Sequence, residues 1–430
     1  MPRQSAQQPL FDMPSHKDEQ HSTTFTRSMG EAVHRWFRYS AGFSAVWAEE
    51  TIAKRMADLG RDELVVLDPF AGSGTTLLAA EAECAVSYGV ESHPFVARVA
   101  RAKLLWRSSP GGFEQRVQQV LETARPIPAQ DVVPPLLTKC FTEDAMAWLR
   151  GLKRAVDDTN DGSEADELAW LAYVSIIRIS SHVGTAQWQY VLPNKTKARF
   201  LPPTDAFRSL TAVMLQDMRT LQARLAPPPD STLYEEDART CESVPHDSVD
   251  MVVTSPPYAN NYDYADATRL EMTVLGEVKG WGDLKPIRNK LVRSCSQHMV
   301  GYDLEQALTN PNLAPIHDEL VPIIAKLTEE KGLHGGKKAY DAMIVAYFSD
   351  LAEVWQALRS KCVDGSSVCF VVGDSAPYGV YVPVERWLAE LALAAGFKSW
   401  TFDKTRDRNI KWKNRKHRVP LKEGRLWIEG

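Results

Sequence analysis

The chain has 430 residues, 44% of them hydrophobic and 24% charged, which suits two or three domains around a large core and excludes a disordered or fibrous protein. Fifty Lys and Arg against 55 Asp and Glu leave a net charge of −5, which excludes a uniformly basic nucleic-acid coat. The balance is uneven: residues 397–430 hold 11 basic and 4 acidic side chains, +7, so the first 396 residues carry −12.

The first residues, 1–24, are polar, without the apolar core of a secretory signal, and read as a flexible tail. No apolar run approaches the ~18–20 residues of a membrane span. The cysteines at 84, 140, 241, 295, 362 and 369 form no Cys-x-x-Cys pair, so neither a zinc site nor a disulfide framework is expected, and a reducing cytoplasm is the default location.

Residues 30–59 carry apolar and aromatic positions at helical spacing, predicting two helices. The apolar run 64–67 ends in Asp-Pro and glycines, the pattern of a buried parallel strand meeting a loop. A helix at 75–83, a strand at 86–91 and a helix at 95–106 follow, the opening of a doubly wound α/β domain. Residues 107–230 hold helical patterns at 113–124, 143–156, 165–179 and 205–225, bracketed by prolines, and read as a helical insertion. Strands are predicted at 231–235 and 249–254, an irregular Gly-, Pro- and Lys-rich excursion at 275–340, and a long helix at 340–361. A strand at 367–372, a helix at 382–395 and a basic strand region close the chain.

Two turns carry chemistry. The loop LDPFAGSGTT after the first strand sits where open α/β sheets bind ligands, and Gly72 and Gly74 allow close backbone approach. No Gly-Lys-Ser/Thr follows, and Leu77 stands where a dinucleotide fingerprint has its third glycine, so neither a P-loop nor a dinucleotide site is indicated. On its own, the loop is also the pattern of a tight strand–helix turn. Glu91, 17 residues beyond Gly74, stands where such folds place a carboxylate against ribose hydroxyls, although a surface glutamate has the same signature. A ribose-bearing cofactor without a pyrophosphate fits S-adenosyl-L-methionine better than a dinucleotide. The second turn, Ser255-Pro256-Pro257-Tyr258, ends a buried strand. Its prolines lock the backbone, a hydroxyl and a carbonyl can accept protons, and an aromatic ring can stack on a flat base.

In order, LDPFAGSGTT, YGVESHP, EEDA and TSPPYANNYDY resemble the motifs of amino-group (N4-cytosine and N6-adenine) DNA methyltransferases, over roughly residues 30–104 and 231–400. HRWFRYSAGFS resembles the segment that precedes the glycine motif in that family, with a looser match at His34, Arg35 and Trp36. The resemblance implies a Rossmann-like class I methyltransferase sheet with a helical insertion. The catalytic domain would be split between 25–106 and 231–430, and 107–230 would read sequence or meet a partner. It implies S-adenosyl-L-methionine held by Asp68, Phe70, Gly72, Ser73 and Gly74, with its ribose on Glu91 and its adenine on Asp237. Ser255, Pro256, Pro257 and Tyr258 would hold a flipped base in DNA.

Serine rather than Asp or Asn at the first motif position favours cytosine N4 over adenine N6, and the missing Pro-Cys pair argues against C5-cytosine chemistry, which needs a thiolate. RNA or protein-amide methylation, and a non-catalytic cofactor-dependent DNA binder, are the alternatives. The candidate DNA contacts are Lys195 and Arg199, with Lys197 and Trp188-Gln189-Tyr190 beside them, and the basic run Lys411, Lys413, Arg415, Lys416 and Arg418 around Trp412. Lys285, Arg288, Lys290, Arg293 and Lys337-Lys338 compete for the same role. A restriction or defence partner, nucleoid association when bound to DNA, no metal and no membrane complete the expectations. Residues 92–236 separate motifs that ordinarily lie close together, a departure from the usual motif orders.

Overall fold

The apolar run after residue 63 forms the first strand of a seven-stranded sheet in the computed structural model, which describes residues 30–39, 42–158, 160–185, 191–197, 199–225, 229–260, 263–299, 301–408 and 419–430. A 3-10 turn, His34–Trp36, precedes α1 (Ala45–Leu59), β1 (Val65–Asp68), α2 (Thr75–Ala82), β2 (Val86–Val90) and α3 (Pro94–Leu104). Between β2 and the next sheet strand lie α4 (Pro110–Thr123), α5 (Pro135–Cys140), α6 (Glu143–Asp158) and α7 (Glu164–Ser180). The hairpin β3 (Val183–Thr185) and β4 (Val191–Thr196), and α8 (Pro203–Arg224), complete that stretch. The sheet resumes with β5 (Ser231–Tyr234) and β6 (Val249–Thr254). After α9 (Tyr264–Ala267) and α10 (Arg269–Leu275), the excursion holds α11 (Lys285–Lys290), α12 (Leu304–Leu308) and α13 (His317–Leu333). Last come α14 (Tyr340–Lys361), β7 (Cys362–Gly373), α15 (Val384–Ala394), β8 (Ser399–Arg408) and β9 (Leu421–Glu429).

The strand order is β5-β2-β1-β6-β7-β9-β8. The first five run parallel, while β9 pairs antiparallel with β7 and with β8. The order reverses between β1 and β6, and such switch points open a crevice beyond the carboxyl ends of the strands. Central position explains composition: all six residues of β6 are buried. Its one charge, Asp250, accepts from the Val65 amide at 3.0 Å and from Arg61 Nη1 at 2.8 Å, tying β6 to the entry of β1.

Three differences from the sequence reading have physical causes. The first predicted helix of 30–59 is only a 3-10 turn, because Val33 enters it at φ 64° and the Asp217 carboxylate of α8 takes the Val33 amide, Arg35 and Trp36 Nε1. The excursion contains a 17-residue helix, α13, which Pro315 just before it and Pro322 inside it disguise. The stretch 107–230, read as helical throughout, also holds the hairpin β3–β4; three residues and a Pro-Asn pair leave too little alternation to recognise. The core of its helices continues that of α3: Phe95, Phe113, Leu149, Trp170 and Phe207 belong to one buried cluster. The 1–24 tail lies outside the described residues.

Candidate active site and its comparisons

The glycine loop is fixed from below. Asp68, 1% exposed at the end of β1, accepts from Thr76 Oγ1 at 2.7 Å, Thr254 Oγ1 at 2.5 Å and the Phe70 amide at 3.0 Å. It thereby clamps β1, the loop, α2 and the end of β6 together. Burial pushes its carboxyl up to about 6 against those hydrogen bonds. Gly72 and Gly74 both adopt the left-handed region, at φ 52° and 87°, which favours glycine. At Gly72 a Cβ would also stand 3.3 Å from the Tyr39 ring.

A cleft of about 770 Å³, open to solvent, lies above this loop. Phe70, Gly72, Ser73, Glu91, Asp237, Ser255 and Pro257 all line it. The fold therefore brings together seven predicted residues from the ends of β1, β2, β5 and β6. Asp68 and Gly74 do not line the cleft: the carboxylate of the one is spent on the clamp, and the other caps α2. Glu91 accepts from the Gly72 amide at 2.9 Å and the His93 amide at 2.8 Å. A carboxylate has about four acceptor sites, so acceptor capacity remains for vicinal hydroxyls. Burial and the neighbouring backbone leave its carboxyl at about 7. Asp237 receives Arg239 Nε at 2.9 Å and the Arg239 amide at 2.9 Å, and Arg239 reaches on to Asp350. A glycine-lined backbone and the open acceptor sites of Glu91 fit a ribose-bearing cofactor such as S-adenosyl-L-methionine, whereas the Asp237 carboxylate is largely occupied by Arg239.

At the other wall, Ser255 Oγ donates to the Val371 carbonyl at 3.3 Å, which leaves the oxygen able to accept. Pro256 and Tyr258 follow at the turn without lining the cleft described above. The Arg408 guanidinium stands 5.1 Å from the centre of the Tyr258 ring and donates to the Asp374 carbonyl at 2.8 Å. Burial pushes the Tyr258 phenol upward, so it stays neutral. Arg408 ends β8, and the basic run 411–418 that follows it in sequence lies outside the described residues. Trp188-Gln189-Tyr190 and the side chain of Lys195 also lie outside them, and Arg199 is exposed.

Sequence reasoning missed Tyr39, His93, Tyr264 and Val292, which also line the cleft. Tyr39 stood inside HRWFRYSAGFS and His93 inside YGVESHP, so the motif edges were the available signal. His34, Arg35 and Trp36 act structurally. Arg35 and Trp36 hold Asp217, and the His34 carbonyl receives Lys103 Nζ at 3.2 Å. No cysteine lines the cleft, and burial pushes the thiols of Cys140 and Cys241 up to about 11 and 12. Among the described residues no group of His, Cys, Asp and Glu is arranged to hold a metal, and no helix is long and apolar enough to cross a membrane.

No family model matches the chain. It is 22% identical over 426 residues to the Type II methyltransferase M.BsoBI of Geobacillus stearothermophilus, an alignment covering 87% of this chain and 80% of that protein. It is 28% identical over 156 residues to the Type II methyltransferases M.AvaI of Nostoc sp. and of Anabaena variabilis, covering 35% of this chain and 31% of each of those proteins.

Proposed function

We propose that the protein is a site-specific DNA methyltransferase that modifies the exocyclic amine of a flipped base, cytosine N4 in preference to adenine N6. The observation that carries this reading is the convergence, in one cleft at the switch point of the sheet, of the Gly72 loop and Glu91 with the Ser255-Pro-Pro turn. The similarity to one Type II methyltransferase, M.BsoBI, over most of the chain supports it.

S-adenosyl-L-methionine supplies an electrophilic methyl group on a sulfonium. The residues have to make an aromatic amine nucleophilic and align it. Ser255 Oγ, with its proton on the Val371 carbonyl, accepts one N–H of the amine, and the Pro256 carbonyl accepts the other. Both bonds draw the nitrogen lone pair out of conjugation with the ring. The Ser255 turn would hold the amine in line with that methyl group, and the amine would give up its proton to solvent as it takes the methyl. Positioning supplies much of the rate, since alignment alone is worth up to ~7–11 kcal/mol. Tyr258, backed by Arg408, offers its remaining face to the base. Extruding that base costs a few kcal/mol.

Nucleoside mass spectrometry of DNA incubated with the protein and tritiated cofactor tests the reading. N4-methylcytosine is expected. N6-methyladenine would reverse the base assignment, and label found only in RNA or protein would refute DNA as substrate. Cofactor binding without any transfer would make the chain a non-catalytic binder.

A further inference from the structure

A second cleft lies beside the first, with about 1010 Å³ of space open to solvent. It is built from five segments distant in sequence: the 3-10 turn and its exit, α7, the residue after β4, Leu210 of α8, and the α9–α10 junction. The two clefts are contiguous. Tyr39 lines both, and the wall between them is the 3.0 Å contact of His93 Nε2, on the first, with Thr268 Oγ1, on the second.

Four cations line the second cleft: Arg35, Arg38, Arg178 and Lys197. Two are neutralised in place, Arg35 by Asp217 and Arg178 by Glu271. Among the described residues, neither Arg38 nor Lys197 has a carboxylate partner; Lys197 Nζ donates only to the Arg178 carbonyl, and Arg38 is exposed at the rim. Like charges crowd there at a real cost. Burial, then Arg178 and Arg38, push the Lys197 ammonium down to about 8, and burial and Arg178 lower Arg38 as well. Core packing does not explain two uncompensated cations at the mouth of a roomy cleft, whereas an anionic ligand would relieve both.

We infer that this second cleft seats a backbone phosphodiester of the substrate strand, held by Arg38 and Lys197, next to the nucleotide whose base enters the first cleft. The inference rests on the proposed DNA methyltransferase activity and adds to it where the strand lies. A flipped base remains covalently joined to two phosphates, so an anion has to lie within one nucleotide of the Ser255 turn. Phosphate contacts of this kind fix register and orientation without reading sequence.

The test compares the full-length protein with Arg38→Gln, Lys197→Gln and the double variant, using tritiated-methyl transfer into unmethylated genomic DNA across a salt series. Each lost phosphate contact should flatten the dependence of log KM for DNA on log salt by about 0.9, which amounts to about eightfold weaker binding at 0.1 M salt. The double variant should lose about 0.9 if both cations share one phosphate, or about 1.8 if each holds its own. Arg38→Lys and Lys197→Arg should restore the slope, and cofactor affinity by calorimetry should not move in any variant. A salt slope unchanged in the double variant, while the wild type methylates DNA, would overturn the cleft assignment alone. So would a loss that the charge-preserving variants fail to restore. A wild type that binds cofactor but transfers nothing to DNA would overturn the proposed function and this inference with it.

Discussion

Replacing Glu91 by glutamine separates what the cleft costs the fold from what it does for the cofactor. The folded protein raises the Glu91 carboxyl from 4.5 to about 7, mainly through burial. Between those values the folded state binds the proton more tightly than the unfolded chain. Stability is therefore greatest at low pH and falls as pH rises through the window from 4.5 to about 7. A shift of roughly 2.5 units at 1.36 kcal/mol each sets a ceiling of about 3 kcal/mol. The carboxylate faces an open cleft, so screening leaves about 2 kcal/mol between pH 5 and pH 8. Urea unfolding of wild type and Glu91→Gln at both pH values reads this quantity, because titrating groups remote from Glu91 cancel in the difference, while Asp68, whose charge helps raise the Glu91 carboxyl, is part of the effect. The wild type should lose about 2 kcal/mol more than the variant on going from pH 5 to pH 8. The same substitution removes a charged acceptor from the ribose position and should weaken S-adenosyl-L-methionine binding about tenfold to hundredfold in calorimetry, as expected for hydrogen bonds to a charged group. Parallel pH profiles would refute the claim that the protein withholds water from Glu91. Unchanged cofactor affinity would refute its role as the ribose acceptor.

Three other substitutions probe different parts of the cleft. Ser255→Ala removes the acceptor oriented by the Val371 carbonyl and should abolish methyl transfer while calorimetry finds cofactor affinity unaltered; near-normal turnover would contradict the motif assignment. Asp237→Ala should weaken cofactor binding and also loosen Arg239, which shares Asp350 with Arg293, so the fall in affinity should come with a lower Tm. Arg408→Gln uncovers one face of Tyr258, an interaction worth about 0.5–2 kcal/mol. It should lower kcat with DNA saturating and leave cofactor affinity alone. Converting Lys411, Lys413, Arg415, Lys416 and Arg418 to glutamine should flatten the salt dependence of DNA binding, and an unaltered slope would remove that segment from the interface.

The parts of the site legible in the sequence are those whose chemistry is local. β1, β2 and β6 are short apolar runs closed by Asp-Pro, Glu-Ser and Ser-Pro-Pro, so strand, end and candidate ligand group appear within ten residues of one another. Asp68 shows the limit of such reading. The residue is recognisable, yet only the fold reveals that its carboxylate is consumed by Thr76 and Thr254. Tyr39 and His93 are marked only by standing at motif edges, because their place in the cleft depends on where the 3-10 turn and α9–α10 pack. The second cleft is less legible still: residues 35–39, 175–179, 197 and 267–271 meet only in three dimensions.

The same reasoning disposes of net charge as a guide to binding. A value of −5 sums over many cations that are already committed. Arg35 is held by Asp217, Arg178 by Glu271, Arg293 by Asp350, Arg288 by Asp263 and Arg406 by Glu423. Arg288 and Arg293, candidates for DNA contact by sequence alone, thus serve to pin the excursion to the start of α9 and to α14. Each such pair is invisible to a phosphate, since the cation brings its counter-charge with it and releases few counterions on contact. What a polyanion meets is the cations without carboxylates. At the cleft these are Arg38 and Lys197. The charge count that matters is therefore local, and at the second cleft it is positive even though the chain as a whole is acidic.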